Sequence, residues 1–200
     1  LMTTTVPKRL TTRIIKALKT PDHWISFIAG LSLGFAYAPF SLWWLPFIII
    51  PIWLTRLKNK TPKKAAKIGF IFGFGWFASG ISWIHVAIDQ FGGIPLFASI
   101  FLMLLLCLYL AIFPALSCYL AAKLTVNNKM SLWLFPATWI ASEYLRGVFL
   151  TGFPWLSLGY TQINSPLKAL APIIGEFGIT CVILLLCVSL VKLFKTKSYT

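Results

Sequence analysis

The chain has 200 residues, of which 58% are hydrophobic, 16% aromatic and only 11% charged. A soluble domain carries about 25% charged residues, so this composition excludes a chain that covers its whole surface with water-facing groups. The 18 Lys and Arg residues outnumber the 4 Asp and Glu residues, which gives a formal net charge of +14. Because the cations lie between apolar segments, we interpret them as orientation signals and contacts for anionic lipid headgroups, and not as a nucleic-acid interface.

The sequence predicts an all-α integral membrane bundle of about six hydrophobic segments, preceded by a basic amino-terminal segment over residues 1–23. The bundle covers 24–192, and its segments are 24–38, 42–54, 68–88, 95–122, 132–149 and 169–191. A membrane-spanning helix needs about 20 apolar residues, and the last four segments are long enough to cross. The first two are short and are joined at Pro39. They either cross by extending at their ends or dip into the membrane and return.

The basic residues predict the orientation of this bundle. All Lys and Arg residues except Arg146 and Lys168 fall on one side of the predicted topology. The positive-inside rule makes that side cytoplasmic. Both termini, including the tail over 193–200, are therefore predicted to be cytoplasmic, and the loop over 150–168 is predicted to face outward.

Small residues and cysteines indicate close helix packing. Two GxxxG pairs, Gly30 with Gly34 and Gly69 with Gly73, are typical of helices whose backbones approach closely in lipid. The four cysteines all lie in apolar runs with no metal-ligand spacing, which favours simple packing over a disulfide, a nucleophile or a metal site; they are Cys107, Cys118, Cys181 and Cys187. No metal and no cofactor are predicted.

Glu143 and Arg146 lie three residues apart, on one face of the fifth segment. Ionisable groups inside a membrane are costly and usually face a protein interior or a cavity. Two interpretations stay open. The two side chains form a mutually satisfied ion pair, or the arginine binds an anionic headgroup while the glutamate holds it in place.

The loop TGFPWLSLGYTQINSP, residues 151–166, mixes aromatic rings with polar groups. Phe153, Trp155 and Tyr160 are typical of an aromatic belt at a membrane boundary. A belt does not require the ordered backbone that Gly152 and Pro154 indicate. The alternative interpretation of this loop is therefore a binding site for a lipid-like substrate. In the segment ISWIHV, His85 lies near the same boundary, where an isolated histidine is more often an interfacial hydrogen-bonding residue than a ligand or a base.

Three stretches together carry a family resemblance: FAYAPFSLWWLPF, GFIFGFGWFASGISWIHVAIDQFGGIP and LWLFPATWIASEYLRGVFLTGFPWLSLGYTQINSPLKALAPIIGEFGI. In this order and spacing they resemble the amino-terminal membrane half of bacterial apolipoprotein N-acyltransferases, over about residues 24–192. The resemblance implies an enzyme of the bacterial inner membrane with the loop over 150–168 in the periplasm. Its acyl donor is a phospholipid, and its acceptor is the diacylglyceryl-modified cysteine of a lipoprotein.

The catalytic groups of the family are a Glu, a Lys and a Cys in a nitrilase-like domain, which act through a thioester acyl-enzyme. That domain is not within these 200 residues, so no catalytic residue is assigned, and the chain is expected to be inactive alone and to need the domain in cis or in trans. The resemblance implies that a lipid entrance is formed by six residues: Phe153, Trp155, Arg146, Glu143, His85 and Tyr160. His85 stands where the family often has tyrosine.

The leading hypothesis is therefore the membrane half of an acyltransferase of lipoprotein maturation, with the chain ending at a truncation point after residue 192. The alternative is a non-catalytic membrane scaffold or lipid-binding protein that arose by natural truncation. A transporter ranks lower, because carriers place polar sites near the membrane midplane and the charges here cluster near one face.

Overall fold

The computed structural model describes residues 21–125 and 130–196, and every regular element within those ranges is a helix. The α-helices are α1 (Pro21–Leu33), α2 (Pro46–Leu57), α3 (Pro62–Gly80), α4 (Ile84–Gly92), α5 (Leu96–Leu110), α6 (Ile112–Lys123), α7 (Phe135–Val148) and α8 (Ala171–Thr196). Short 3₁₀ helices lie at Gly34–Ala36, Phe149–Thr151, Leu158–Gln162 and Pro166–Leu170. The all-α prediction is confirmed. Most of the predicted amino-terminal segment and the end of the tail lie outside the described residues.

Two helical stretches are long and apolar enough to cross a membrane, Leu96–Lys123 and Pro166–Phe194. The pair α3 and α4 is a third candidate, bent by 51° at the break between the two helices. α2 is apolar but only 12 residues long. The described residues thus hold two or three candidate spans by length and composition, and the count of six segments stays a prediction.

α3 packs between α1 and α6 through glycines. A side chain at Gly30 of α1 would collide with the backbone of Phe72 and Trp76 in α3. On the other face of α3, Gly69 and Gly73 leave room for the α6 backbone around Pro114. The contacts of Gly30, Gly69 and Gly73 confirm that the GxxxG spacing brings helix backbones together, because only a missing Cβ allows so close an approach.

Aromatic rings from α2, α3 and α7 fill the centre of the bundle. Trp53 stacks on Phe72 with ring centroids 3.9 Å apart, and Trp76 stacks on Trp139 at 5.7 Å. None of these four side chains is more than 4% exposed. Offset stacks and edge contacts of this kind favour one arrangement of the three helices, which fixes α7 and the loop that follows it.

The contacts between connections define two ends of the bundle. At the end we call the basic end, Asp22 pairs with Lys60 at 2.7 Å, and the Lys60 carbonyl accepts a hydrogen bond from the Met130 amide at 2.9 Å. The Lys192 ammonium lies 4.0 Å from the centre of the Trp133 ring at the same end. The connections around α2–α3 and α6–α7 and the end of α8 therefore meet there. The loop after α7 lies at the opposite end, which we call the loop end.

Candidate functional site

The loop after α7 holds an unusual backbone. Leu150, Thr151 and Leu156 have φ angles of 49°, 73° and 58°, in the left-handed region that residues with a Cβ rarely adopt. Gly152 has φ 81°, and a Cβ there would collide with the Gly147 carbonyl oxygen. Each non-glycine residue in this region costs on the order of 1–3 kcal/mol, so surrounding contacts must impose the conformation. We call residues 150–158 the strained loop.

A buried ion pair lies directly behind the strained loop. Arg146 Nη2 is 3.4 Å from Glu143 Oε1, and the two residues are 3% and 5% exposed. The Arg146 guanidinium carbon also lies 5.4 Å from the centre of the Phe77 ring. A buried charge is tolerated when its partner and hydrogen bonds replace the lost water, so each residue depends on the other.

The same pair binds the backbone of the strained loop. Arg146 Nη1 donates hydrogen bonds to the carbonyl oxygens of Phe153 at 3.0 Å and Trp155 at 2.5 Å. The Phe153 amide donates back to the Arg146 carbonyl at 2.9 Å. Glu143 Oε1 accepts the amide of Leu158, also at 2.9 Å. Neither interpretation of the pair included these hydrogen bonds, which connect both side chains to the backbone of the loop.

Hydrogen bonds with the connection between α1 and α2 and with α8 hold the rest of the loop. The Tyr37 hydroxyl lies 3.2 Å from the carbonyl oxygens of both Leu156 and Ser157. The Gly159 amide donates to Thr180 Oγ1 at 2.9 Å, and Gln162 Nε2 donates to the Trp43 carbonyl at 2.9 Å. The sequence by itself indicates no role for Tyr37 or Thr180. The available signal was a hydroxyl group within an otherwise apolar run.

Three aromatic side chains at the loop end form what we call the aromatic platform: the exposed Trp155 and Trp83, and Phe153, which is half-buried against the core. The Trp155 ring lies 5.3 Å from the Phe153 ring and 5.5 Å from the Trp83 ring, centre to centre. Trp83 and Trp155 are each 52% exposed. Trp83 comes from the break between α3 and α4, so the strained loop and that break build one surface.

A cavity of about 640 Å³ lies beside the platform, and we call it the aromatic groove. Its walls come from the turn after α1, the end of α3 and the loop; they include Phe35, Phe40, Trp83, Leu156, Tyr160 and Ile163. Its volume falls within the roughly 300–1,000 Å³ typical of small-molecule sites. Rings and aliphatic groups with a few hydroxyls along the wall suit an amphipathic ligand.

The remaining two predicted site residues lie around this groove. Tyr160 lines it, and the interaction of its hydroxyl with the Glu176 carboxylate, followed by burial, raises the pKa of the phenol above its ordinary value. His85 lies on α4, with Nδ1 against the carbonyl oxygen of Ser82, and Ser82 itself lines the groove.

The structure thus brings Glu143, Arg146, Phe153 and Trp155 into direct contact, with Tyr160 in the adjoining groove and His85 bound at its margin. A role of these six residues in lipid binding stays a prediction. Over 21–125 and 130–196, no group of three or more His, Cys, Asp and Glu residues is placed to hold a metal ion. All four cysteines are free.

Comparison with known proteins decides the family. The family model described as the apolipoprotein N-acyltransferase N-terminal domain matches residues 29–189. The chain therefore belongs to the apolipoprotein N-acyltransferase family. The strained loop, the ion pair and the aromatic groove all lie within the matched region, so the site is part of the family domain.

Curated relatives named apolipoprotein N-acyltransferase come from several bacteria. The chain is 45% identical to the protein of Shewanella oneidensis over 177 residues, which cover 86% of this chain and 34% of that protein. It is 48% identical to the protein of Vibrio cholerae over 157 residues, which cover 78% of this chain and 31% of that protein. It is 41% identical to the protein of Haemophilus influenzae over 172 residues, which cover 84% of this chain and 32% of that protein. The chain thus spans about a third of the length of these relatives.

Proposed function

We propose that this chain is the membrane half of an acyltransferase that completes bacterial lipoproteins. The whole enzyme transfers an acyl chain from a phospholipid to the amino group of a diacylglyceryl-modified cysteine. Family membership supports this reaction, and the names of the relatives support an acyl donor and a lipoprotein acceptor. The observation that carries the assignment to this chain is the aromatic groove beside an exposed aromatic platform, at the loop end of a highly apolar bundle.

We further propose that all six hydrophobic segments belong to a multi-pass bundle over 24–192 in the inner membrane, with the basic end cytoplasmic and the loop over 150–168 periplasmic. The charge distribution supports this placement. Lys63, Lys64 and Lys67 are exposed at the basic end, whereas Lys168 is the cation exposed near the loop end among the described residues. A surplus of cations marks the cytoplasmic side of a membrane protein.

Cysteine labelling tests this orientation. In a background that carries Cys181→Ser, we expect Ile163→Cys to react with a membrane-impermeant maleimide in intact spheroplasts, because Ile163 is 63% exposed at the loop end. Lys64→Cys is the matched control and should react only after the cells are opened. If Ile163→Cys is labelled only in opened cells, the orientation is the inverse of the one proposed, and the proposed function fails with it.

The groove and the platform suit the acyl chain of a phospholipid. An acyl chain needs an apolar wall, which Phe35, Phe40 and Trp83 provide, and the ester and headgroup need a few hydrogen-bonding groups near the mouth. Tyr160 supplies a hydroxyl there. Tryptophan rings at a membrane boundary present an apolar body together with an N–H donor, so the platform suits the zone where acyl chain meets headgroup.

A photoactivatable phospholipid tests the lipid site. With a diazirine in the acyl chain, we expect labelling of the platform and groove that unlabelled phospholipid competes away. Trp155→Ala removes a ring that contacts both Phe153 and Trp83, and should lower this labelling about thirtyfold, since a tryptophan anchor contributes about 2 kcal/mol. Trp24→Ala is the matched control, because Trp24 is 58% exposed on α1, at the basic end. Equal labelling of both variants would contradict a lipid site at the loop end.

The chemistry itself is proposed to reside outside this chain. In the family-type reaction a cysteine thiolate attacks the phospholipid ester carbonyl, a thioester forms and the lysophospholipid alcohol leaves. The lipoprotein amine then attacks the thioester, the amide forms and the thiol is released. A nitrilase-like domain in cis or in trans supplies the Glu, Lys and Cys. We therefore expect no N-acylation of a diacylglyceryl peptide by the 200 residues alone, and turnover by them would refute this division.

A further inference from the structure

We propose that Glu143 and Arg146 are positioning residues that hold the strained loop in the conformation that presents Phe153 and Trp155. In this role they do not contact lipid. The inference rests on the proposed function for the identity of the ligand, whereas the holding of the loop by the pair stands on geometry alone. It replaces the expectation that Arg146 binds a lipid headgroup.

The first support is that Arg146 has no face left for a headgroup. It is 3% exposed, and its guanidinium already bonds two backbone carbonyls, one carboxylate and the face of the Phe77 ring. A phosphate would have to displace charge-assisted hydrogen bonds in a buried site. Each such bond contributes roughly twice as much as a neutral one, so displacement is unfavourable.

The second support is that the ion pair binds the backbone of the residues that are proposed to contact lipid. The carbonyls bound by Arg146 belong to Phe153 and Trp155, which are the two platform residues of the loop. The amide bound by Glu143 belongs to Leu158, at the end of the strained loop. One ion pair therefore fixes both ends of the segment from which the two rings project.

The third support is that the loop has a conformation that needs to be held. Leu150, Thr151 and Leu156 lie in the left-handed region, on either side of the two rings. Strain of this kind persists only where surrounding structure imposes it, and it concentrates at binding and catalytic sites. Without the pair, the backbone is free to relax to ordinary angles, and the rings no longer share one surface with Trp83.

Arginine is required for this role because of its shape. The planar guanidinium offers five N–H donors in a fixed fork, so it reaches both carbonyls and the carboxylate at once. Lysine retains the charge as a single point on a flexible stem. Arg146→Lys thus separates geometry from charge, which a change to alanine does not.

Two readouts on the full 200-residue chain in lipid nanodiscs test the proposal. A nitroxide on Pro154→Cys, again with Cys181→Ser, reports the mobility of the loop between the two bound carbonyls. The photoactivatable phospholipid reports binding at the platform. For Arg146→Lys we expect a mobile nitroxide and an increase of about tenfold in the half-saturating lipid concentration, the loss expected from charge-assisted hydrogen bonds. Glu143→Gln should give the same direction with a smaller change, because its amide keeps an oxygen acceptor for Leu158.

The controls separate positioning from direct contact. Trp155→Ala should weaken labelling while the nitroxide stays immobile, and Arg56→Lys, at the basic end, should change neither readout. An immobile nitroxide with weakened labelling in Arg146→Lys would show direct lipid contact and overturn the proposal. An immobile nitroxide with parental labelling would overturn it as well. If the parent chain binds no phospholipid, the proposed function fails, whereas the nitroxide of Arg146→Lys still decides whether the pair holds the loop.

Discussion

Glu143→Ala is expected to destabilise the folded bundle by about 3–5 kcal/mol, because it leaves a buried guanidinium without its counter-charge. Arg146 is 3% exposed, so water does not replace the lost carboxylate. The same change also removes the acceptor of the Leu158 amide. The measurement is the free energy of unfolding in mixed micelles, followed by the loss of helical circular dichroism as denaturing detergent is added.

Two comparisons make this result specific. The double variant Glu143→Ala with Arg146→Met removes both charges, and we expect it to be more stable than Glu143→Ala alone, because no unpaired charge remains buried. Asp22→Ala breaks the pairs with Lys60 and Arg56, whose side chains are partly exposed, and should cost at most about 1 kcal/mol. A Glu143→Ala variant no less stable than Asp22→Ala would contradict the idea that the buried pair holds the loop end together.

Gly30→Leu is expected to separate α1 from α3 and to cost about 3 kcal/mol or more. Even a Cβ at this position would overlap the backbone carbonyl of Phe72, and a backbone atom has no alternative rotamer to adopt. The bundle must therefore move one helix, which also disturbs the Trp53–Phe72 stack behind it. The same unfolding measurement checks the result.

Gly147→Ala is the matched control for this prediction. Gly147 lies in α7, and a Cβ there would meet nothing within 4 Å. Alanine is the better helix former by about 1 kcal/mol, so this variant should be as stable as the parent or more stable. Equal losses of stability in the two variants would show that replacing any glycine is destabilising. That result would contradict a close helix approach at Gly30.

Several features of this fold could be predicted from the sequence because they depend on local composition. Long apolar runs with few charges predicted the helices that include Leu96–Lys123 and Pro166–Phe194. The GxxxG spacing around Gly69 predicted a backbone contact, although not that α6 is the partner. The break between α3 and α4 was not predicted, because it coincides with the place where Leu156 of a distant loop packs against Gly80.

The candidate site shows the same division. Aromatic residues between glycine and proline indicated the loop, and a spacing of three residues indicated that Glu143 and Arg146 share a helical face. The targets of Arg146 were beyond the sequence, since a side chain chooses its partners according to which carbonyls the folded backbone turns toward it. The roles of Tyr37 and Thr180 were missed for that reason, because their loop partners lie 119–120 and 21 residues away in the chain.

The sequence by itself determined that this protein needs an apolar environment. A chain with so few charged residues has a stable fold only where its apolar surface need not face water. It also determined the asymmetry of its two ends, since the charges are fixed by residue type. The tertiary structure alone decided that the buried arginine faces the loop backbone and that Trp83 joins Phe153 and Trp155 in one surface. Those contacts depend on the direction of carbonyls and rings after packing, which no local pattern specifies.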